Sequence, residues 1–278
     1  MTLPPTHGVV KHVETSVGQL AYRIDGDGEP MLLCQRFKGT IDDWDPAFVE
    51  ALVATGRRII RFDNAGIGRS KGTTPSSMPE MADGALAFAE ALALDSFDVL
   101  GWSLGGEVAQ WMALKAPTRV RSMIFAGTSP GAISEVAPDP EVASVKAKPQ
   151  QNEADFLYLF FGDSDASLAA GKASLGRVAA VSAGPAVSEA AIAAQQAASK
   201  SYGAGPDASR PRLGEMAMPI LVANGNRDRM LPPFGSFVIA RDAPNAKLVL
   251  YPDAGHAFLF QYVDEFVAEI DRFLRAIA

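Results

Sequence analysis

The stretch that decides the fold is Phe97-Asp98-Val99-Leu100-Gly101-Trp102-Ser103-Leu104-Gly105-Gly106. Its first part, Phe97–Gly101, is an apolar run bounded for a strand. Leu104–Lys115 carries its apolar residues at helical spacing. Ser103 stands between them, on a turn too short for relaxed backbone angles. Such a turn lifts its side chain above the C-terminal edge of a sheet. It also demands small residues two before and two after, because strand and helix approach closely there. Gly101 and Gly105 fill those positions, and Gly106 adds a third glycine. The start of the helix places partial positive charge beside the hydroxyl. Alone, Gly-x-Ser-x-Gly is weak evidence; between a strand and a helix it marks Ser103 as a candidate nucleophile.

A serine hydroxyl needs a base, and the base needs an orienting acid. In this strand–turn–helix setting the chain order is serine, acid, histidine. The chain holds three histidines, His7, His12 and His256. The first two fall in a terminal segment expected to be exposed and mobile. His256 is the one that follows Ser103, in Asp253-Ala254-Gly255-His256-Ala257-Phe258, just past a strand at Lys247–Tyr251. That is the sheet edge where ligands gather in α/β proteins. For the acid, Asp228 lies in Gly225-Asn226-Arg227-Asp228-Arg229-Met230-Leu231-Pro232, past a strand at Ile220–Ala223. The two strands are consecutive, so their loops should be neighbours. Asp253 is closer in sequence, but from three positions before the histidine it would have to fold back within one turn. The loop Gly127-Thr128-Ser129-Pro130, after a strand at Ser122–Ala126, offers no acid. Asp228 is therefore the expected partner, since geometry and not sequence proximity defines such a triad.

The rest of the chain fits an α/β body. Val9–Thr15 and Gln19–Ile24 suggest a hairpin with Gly18 in its turn. Met31–Gln35 and Arg58–Phe62 suggest strands. Trp44–Ala54, capped by Thr40 or Asp42, and Met81–Leu94 suggest helices, as do Phe234–Arg241 and Asp264–Ala276. Several strand candidates are apolar without alternation, as strands buried on both faces are. From about Ala132 to Gly214 no convincing strand occurs. Pro138, Pro140 and Pro149 open this segment, and an alanine-rich stretch with Phe156, Leu157, Tyr158, Phe160 and Phe161 follows. A crossover normally takes one helix, so 132–214 is expected to be a helical cap inserted into a core made of 1–131 and 215–278. The aromatic cluster serves either the substrate pocket or the cap's own packing.

Composition narrows the function. The chain has 278 residues, 48% hydrophobic and 21% charged, enough to bury roughly three quarters of its unfolded surface. Cys34 is the single cysteine, which excludes an internal disulfide and a cysteine zinc cluster. Three histidines, two of them near the start, make a multi-histidine metal site unexpected. Neither metal nor cofactor is expected. A net charge of −7 argues against nucleic acid and anionic membranes as partners. No apolar run suits a transmembrane span, and Met1–Gly8 does not look like a secretory signal. The expected location is the cytoplasm.

These motifs resemble the α/β-hydrolase family, from about Gln19 to the C-terminus. The likeness rests on the Ser103 turn, the Asp228 loop, the Gly255-His256 pair and Asp63-Asn64-Ala65-Gly66-Ile67-Gly68-Arg69-Ser70. The last resembles a turn that shapes a loop near the site in these proteins, and Asp63 and Ser70 are expected to hydrogen-bond locally. The resemblance implies a mostly parallel sheet flanked by helices, with the cap entering before the last two strands. It also implies an oxyanion hole made by the N–H groups of Phe37 and Leu104. One departure stands out: Gln35-Arg36 replaces the family's frequent His-Gly pair. Arg36 is expected to pair with Asp42, Asp43 or Asp45, the alternative being contact with a substrate carbonyl or carboxylate.

The expected activity is serine hydrolysis of a carboxylic ester or lactone of a small, largely apolar molecule, through an acyl-enzyme. A serine at the turn disfavours the family's carboxylate-nucleophile dehalogenases and epoxide hydrolases. Carbon–carbon bond hydrolases and perhydrolase or cofactor-free haloperoxidase types share the triad and stay open. So does, more remotely, a ligand-binding protein without catalysis. Oligomeric state is not legible.

Overall fold

A computed structural model describes residues 8–146, 148 and 151–277. His7 and Pro149 lie outside the described residues. Eight strands form one sheet: β1 Lys11–Thr15, β2 Gly18–Asp25, β3 Glu29–Cys34, β4 Arg57–Phe62, β5 Phe97–Trp102, β6 Val120–Ala126, β7 Ile220–Gly225 and β8 Ala246–Tyr251. Their spatial order is β1-β2-β4-β3-β5-β6-β7-β8. β1 and β2 pair antiparallel, and β2 lies antiparallel to β4. From β4 through β8 every pairing is parallel. His12 sits on β1 at the sheet edge and is exposed.

Helices cover both faces: α1 Pro46–Ala54, α2 Met78–Ala91, α3 Leu104–Lys115, α8 Pro233–Asp242, the short α9 Phe258–Gln261 and α10 Val263–Ala276. Each central strand feeds two cores by alternation. In β3, Leu32 and Cys34 face the side of α2, α3 and α8, whereas Met31 and Leu33 face the side of α1, α9 and α10. Both sets are fully or almost fully buried. This is why the strands lack polar alternation: neither face meets water.

Between β6 and β7 come α4 Pro140–Lys146, α5 Glu153–Phe160, α6 Asp165–Val181, α7 Glu189–Ala204 and a 3-10 turn at Arg210–Glu215, with no strand among the described residues. Polar bonds tie this segment to the sheet. Trp111 Nε1 donates to the Asp207 carbonyl at 2.8 Å. Tyr202 donates to the Ser129 carbonyl at 3.1 Å. Arg177 clamps Asp45 through Nε at 2.8 Å and Nη2 at 2.7 Å.

Asp45 also corrects an expectation. The cap of α1 is neither Thr40 nor Asp42, and the helix starts at Pro46, not Trp44. Asp45 Oδ1 accepts the Ala47 N–H at 3.0 Å, and Pro46 supplies the preset φ of a first helical residue. Trp44 belongs to the loop and is wholly buried, stacked on Phe48 with centroids 6.2 Å apart. α2 likewise begins earlier than its apolar periodicity suggests, at Met78, because Ser77 caps it.

Asp45 thus serves two elements at once while wholly buried. Asp45→Ala should lower the free energy of unfolding by about 2–3 kcal/mol, the combined loss of a cap and a charge-assisted pair. Urea denaturation of the two proteins measures it. An unchanged midpoint would show that neither contact matters.

Candidate active site

The candidate site lies at the C-terminal edge of the sheet. There β3 and β5 are neighbours, although the chain visits β4 between them. Such a switch in direction opens a crevice between strand ends. Cys34 and Gly101 sit side by side in the ladder, so the loops that follow carry Phe37 and Ser103 to the same place.

Ser103 has φ 58° and ψ −124°, a sparsely populated region for a residue with a side chain. Its surroundings impose this. The Ser103 N–H donates to the Ala126 carbonyl at 3.0 Å, and its carbonyl accepts the Thr128 hydroxyl at 2.9 Å and the Gly106 N–H at 2.8 Å. The glycines are sterically required. A Cβ on Gly105 would lie 2.0 Å from the Cys34 carbonyl oxygen, one on Gly101 2.5 Å from that of Gly105, and one on Gly106 2.6 Å from the Thr128 side chain.

His256 and Asp228 meet because the loops after β7 and β8 are zipped together. The Asn226 N–H donates to Tyr251 at 2.8 Å and the Arg227 N–H to Ala254 at 2.9 Å. Asp228 Oδ1 accepts the N–H groups of Met230 and Leu231, both at 2.9 Å. Its Oδ2 lies 2.7 Å from His256 Nδ1, with both side chains wholly buried. A carboxylate only accepts, so Nδ1–H donates, and in the neutral imidazole the lone pair then falls on Nε2. The indole N–H of Trp102 anchors the His256 carbonyl at 2.9 Å. His256 Nε2 is buried and has no hydrogen-bond partner among the described residues. It lines a cavity of about 260 Å³ together with Ser103. A larger cleft of about 570 Å³, between α1, α6 and α10, contains none of these residues.

Asp253 points elsewhere: its carboxylate accepts the Ser164 hydroxyl. Asp63 accepts the N–H groups of Ile41 at 2.7 Å and Arg69 at 2.9 Å, and the Ser70 hydroxyl donates to the Asp63 carbonyl at 2.6 Å. The Cys34 thiol is buried, which pushes it up to about 12 and leaves it protonated.

The loop after β3 keeps a defined path without the family's glycine. The Gln35 side chain accepts the Arg36 N–H at 2.8 Å and donates to the Thr40 carbonyl at 3.1 Å. Lys38 takes φ 58°, and its N–H donates to Gln195 Oε1 at 2.9 Å. The N–H groups of Phe37 and Leu104 donate to no acceptor among the described residues. Arg36 makes the expected ion pair, and nothing in the structure tests the alternative of substrate contact. It pairs with Asp43 at 3.2 Å, while Asp42 is taken by Arg23 and Arg69 and Asp45 by Arg177. It also lines the cavity, over the rings of Trp102, Phe156 and Phe160 at 5.4–5.8 Å. The aromatic cluster divides. Phe156 and Phe160 line the cavity, and Phe161 packs inward against Gly171.

Three contributors escaped the sequence. Gly127, at φ 53°, makes room for the pair: a Cβ there would lie 3.2 Å from His256 Nδ1 and 3.4 Å from Asp228 Oδ2. A glycine ending a buried strand was the available signal. Gln195 lies in an alanine-rich helix with nothing to distinguish it. Glu107, one turn past Ser103, is the third.

The family model described as alpha/beta hydrolase fold matches residues 29–262, and the chain belongs to that family. A solved alpha/beta hydrolase fold protein from Chitinophaga pinensis is 34% identical, with a TM-score of 0.89 over 97% of this chain and 98% of that one. The pimeloyl–acyl-carrier protein methyl ester esterase of Nitrosomonas europaea is 24% identical over 274 residues, 94% of this chain and 98% of that protein. A protein of Azorhizobium caulinodans that carries the name carbamate hydrolase RutD is 38% identical over 105 residues. That match covers 37% of this chain and only 39% of the relative's length. The two curated relatives thus bear hydrolase names.

Glu107 is buried at the start of α3, and its Oε2 has no hydrogen-bond partner among the described residues. Burial pushes its carboxyl up to about 8, with Lys146 opposing only in part. The folded protein therefore holds a proton that the unfolded chain releases near the ordinary 4.5. Stability should fall as pH rises between those two values. Glu107→Gln removes the cost, so the variant should melt about 5 °C or more above the parent at roughly pH 8. The gap should close as pH falls toward about 5. Thermal scans at both ends measure it, and equal melting temperatures throughout would show that Glu107 titrates normally.

Proposed function

We propose that this chain is a serine hydrolase of small carboxylic esters or lactones, with Ser103 as nucleophile, His256 as base and Asp228 as its orienting acid. The observation that supports this best is the imidazole. Its Nδ1 is tied to Asp228, its buried Nε2 has no partner among the described residues, and His256 lines the cavity that Ser103 also lines. Leaving a buried nitrogen unpaired costs roughly 1–3 kcal/mol, and a proton acceptor in use during a reaction is a good reason to leave one.

In this scheme Ser103 Oγ attacks the carbonyl carbon while Nε2 takes its proton. The carbonyl oxygen becomes an oxyanion beside the N–H groups of Phe37 and Leu104, whose lack of other acceptors suits them to that task. The leaving alcohol departs with the proton from Nε2. Water then gives a proton to Nε2 and attacks the acyl-enzyme, which frees the acid and restores Ser103. Asp228 fixes the tautomer that leaves Nε2 basic, and it stabilises the imidazolium. Residues 132–214 act as a cap over the site: Lys146, Gln151, Phe156, Leu159 and Phe160 of this segment all line the cavity. Phe156, Leu159 and Phe160, with Met230 from the core, favour an apolar portion of the substrate.

Short p-nitrophenyl esters and a lactone panel test the reading. Ser103→Ala and His256→Ala should each lose at least about a thousandfold in kcat, and Asp228→Asn a similar factor, with the melting transition retained. A fluorophosphonate should add its mass to Ser103 alone. Equal rates for Ser103→Ala and the parent would overturn the assignment.

A further inference from the structure

We infer that the ester accepted at this site carries a free carboxylate on its acyl portion, as a short half-ester of a dicarboxylic acid does, held by Arg36, Lys38 and Lys146. The inference rests on the serine-hydrolase reading above and concerns which esters that site prefers.

The observation is one of charge. The chain is acidic overall, with 32 carboxylates against 25 lysines and arginines. The cavity holding Ser103 and His256 reverses this: three cationic side chains line it and no carboxylate does, among the described residues. Lys38 and Lys146 have no ion-pair partner among the described residues. Arg36 is only partly matched. Asp43 takes one Nη2 contact at 3.2 Å and the Phe37 carbonyl one Nη1 contact at 2.8 Å. Its Nε is buried and without a hydrogen-bond partner among the described residues. A planar guanidinium with donors to spare is well suited to a carboxylate.

The nearby acids offset this field only in part. Asp43 is committed to the Thr40 N–H and hydroxyl at 2.7 and 2.8 Å as well as to Arg36. Asp228 is bonded to His256. Glu107, on which Lys146 acts, is buried, and burial pushes its carboxyl up to about 8, so that it holds its proton at neutral pH. Low-dielectric aromatic walls from Phe156 and Phe160 concentrate what remains.

Position sets the length of the substrate. Arg36 and Lys38 flank Phe37, whose N–H is the proposed oxyanion donor. A carboxylate that reaches them lies only a few bonds from the scissile carbonyl. The small volume, about 260 Å³, and the apolar residues Leu159 and Met230 suit a short methylene spacer between the two groups.

The experiment compares p-nitrophenyl glutarate half-ester with p-nitrophenyl pentanoate, of like length but neutral. The half-ester should show a kcat/KM about tenfold or more higher. That ratio should shrink toward one between about 0.05 M and 0.5 M salt, and again in Lys146→Met and in Arg36→Met. In parallel, titration calorimetry with Ser103→Ala compares glutaramate with pentanamide; the anion should bind at least about tenfold tighter. If both esters are cleaved through Ser103 at equal rates, this inference fails and the hydrolase reading stands. If neither is cleaved, the hydrolase reading fails for esters, and the calorimetry still decides the anion preference. Equal affinities there would overturn it.

Discussion

The whole site depends on one steric constraint, the close approach of α3 to the ends of β3 and β6. The helix starts so near the sheet that a single methyl at Gly105 would strike the Cys34 carbonyl oxygen. Ser103 therefore has no relaxed turn available and is held at positive φ by bonds from Ala126 and Thr128. The cost of such a conformation is of order 1–3 kcal/mol. The two cores on either face of the sheet supply the stability that offsets it. The same contact fixes how far the Leu104 N–H lies from the loop after β3, so strain at the serine and the spacing of the Phe37 and Leu104 N–H groups, both without an acceptor among the described residues, share one origin.

That constraint also explains why the sequence was informative here. Glycines at 101, 105 and 106 are written into the chain because no other residue fits. Chain order then pointed to His256 as the candidate base and consecutive strands to the Asp228 loop for the candidate acid; the two side chains lie 2.7 Å apart. The central strands were legible because both of their faces are buried and their apolar residues run without alternation. Helix starts were less so. Asp45-Pro46, a capping residue before a proline at the first helical position, is the local signal for the start of α1, but the buried Trp44 carries the apolar pattern past it.

Gly127, Gln195 and Glu107 went unread for a related reason. Each acts through a neighbour distant in the chain: Gly127 by yielding space to His256, Gln195 by accepting the Lys38 N–H, Glu107 by being sealed from water. The aromatic cluster of α5 shows the limit differently. Periodicity cannot say which side of a helix meets a cavity, and in fact Phe156 and Phe160 face the cavity while Phe161 faces the core.

Arg36 joins these strands of argument. It stands where the family resemblance leads one to expect a glycine, so its loop needs other restraints, and Gln35, Gln195 and Asp43 provide them. Glycine would leave that loop's path to the backbone alone. The arginine instead ties the loop to the aromatic wall from α5 and brings a positive charge beside the proposed oxyanion donor. A backbone held by side chains on both flanks can keep an N–H directed at the cavity even without glycine's freedom. The exchange of a flexible loop for a charged, braced one is thus a change of chemistry as well as of conformation. It gives this member of the family a cavity whose polarity runs against that of its own surface.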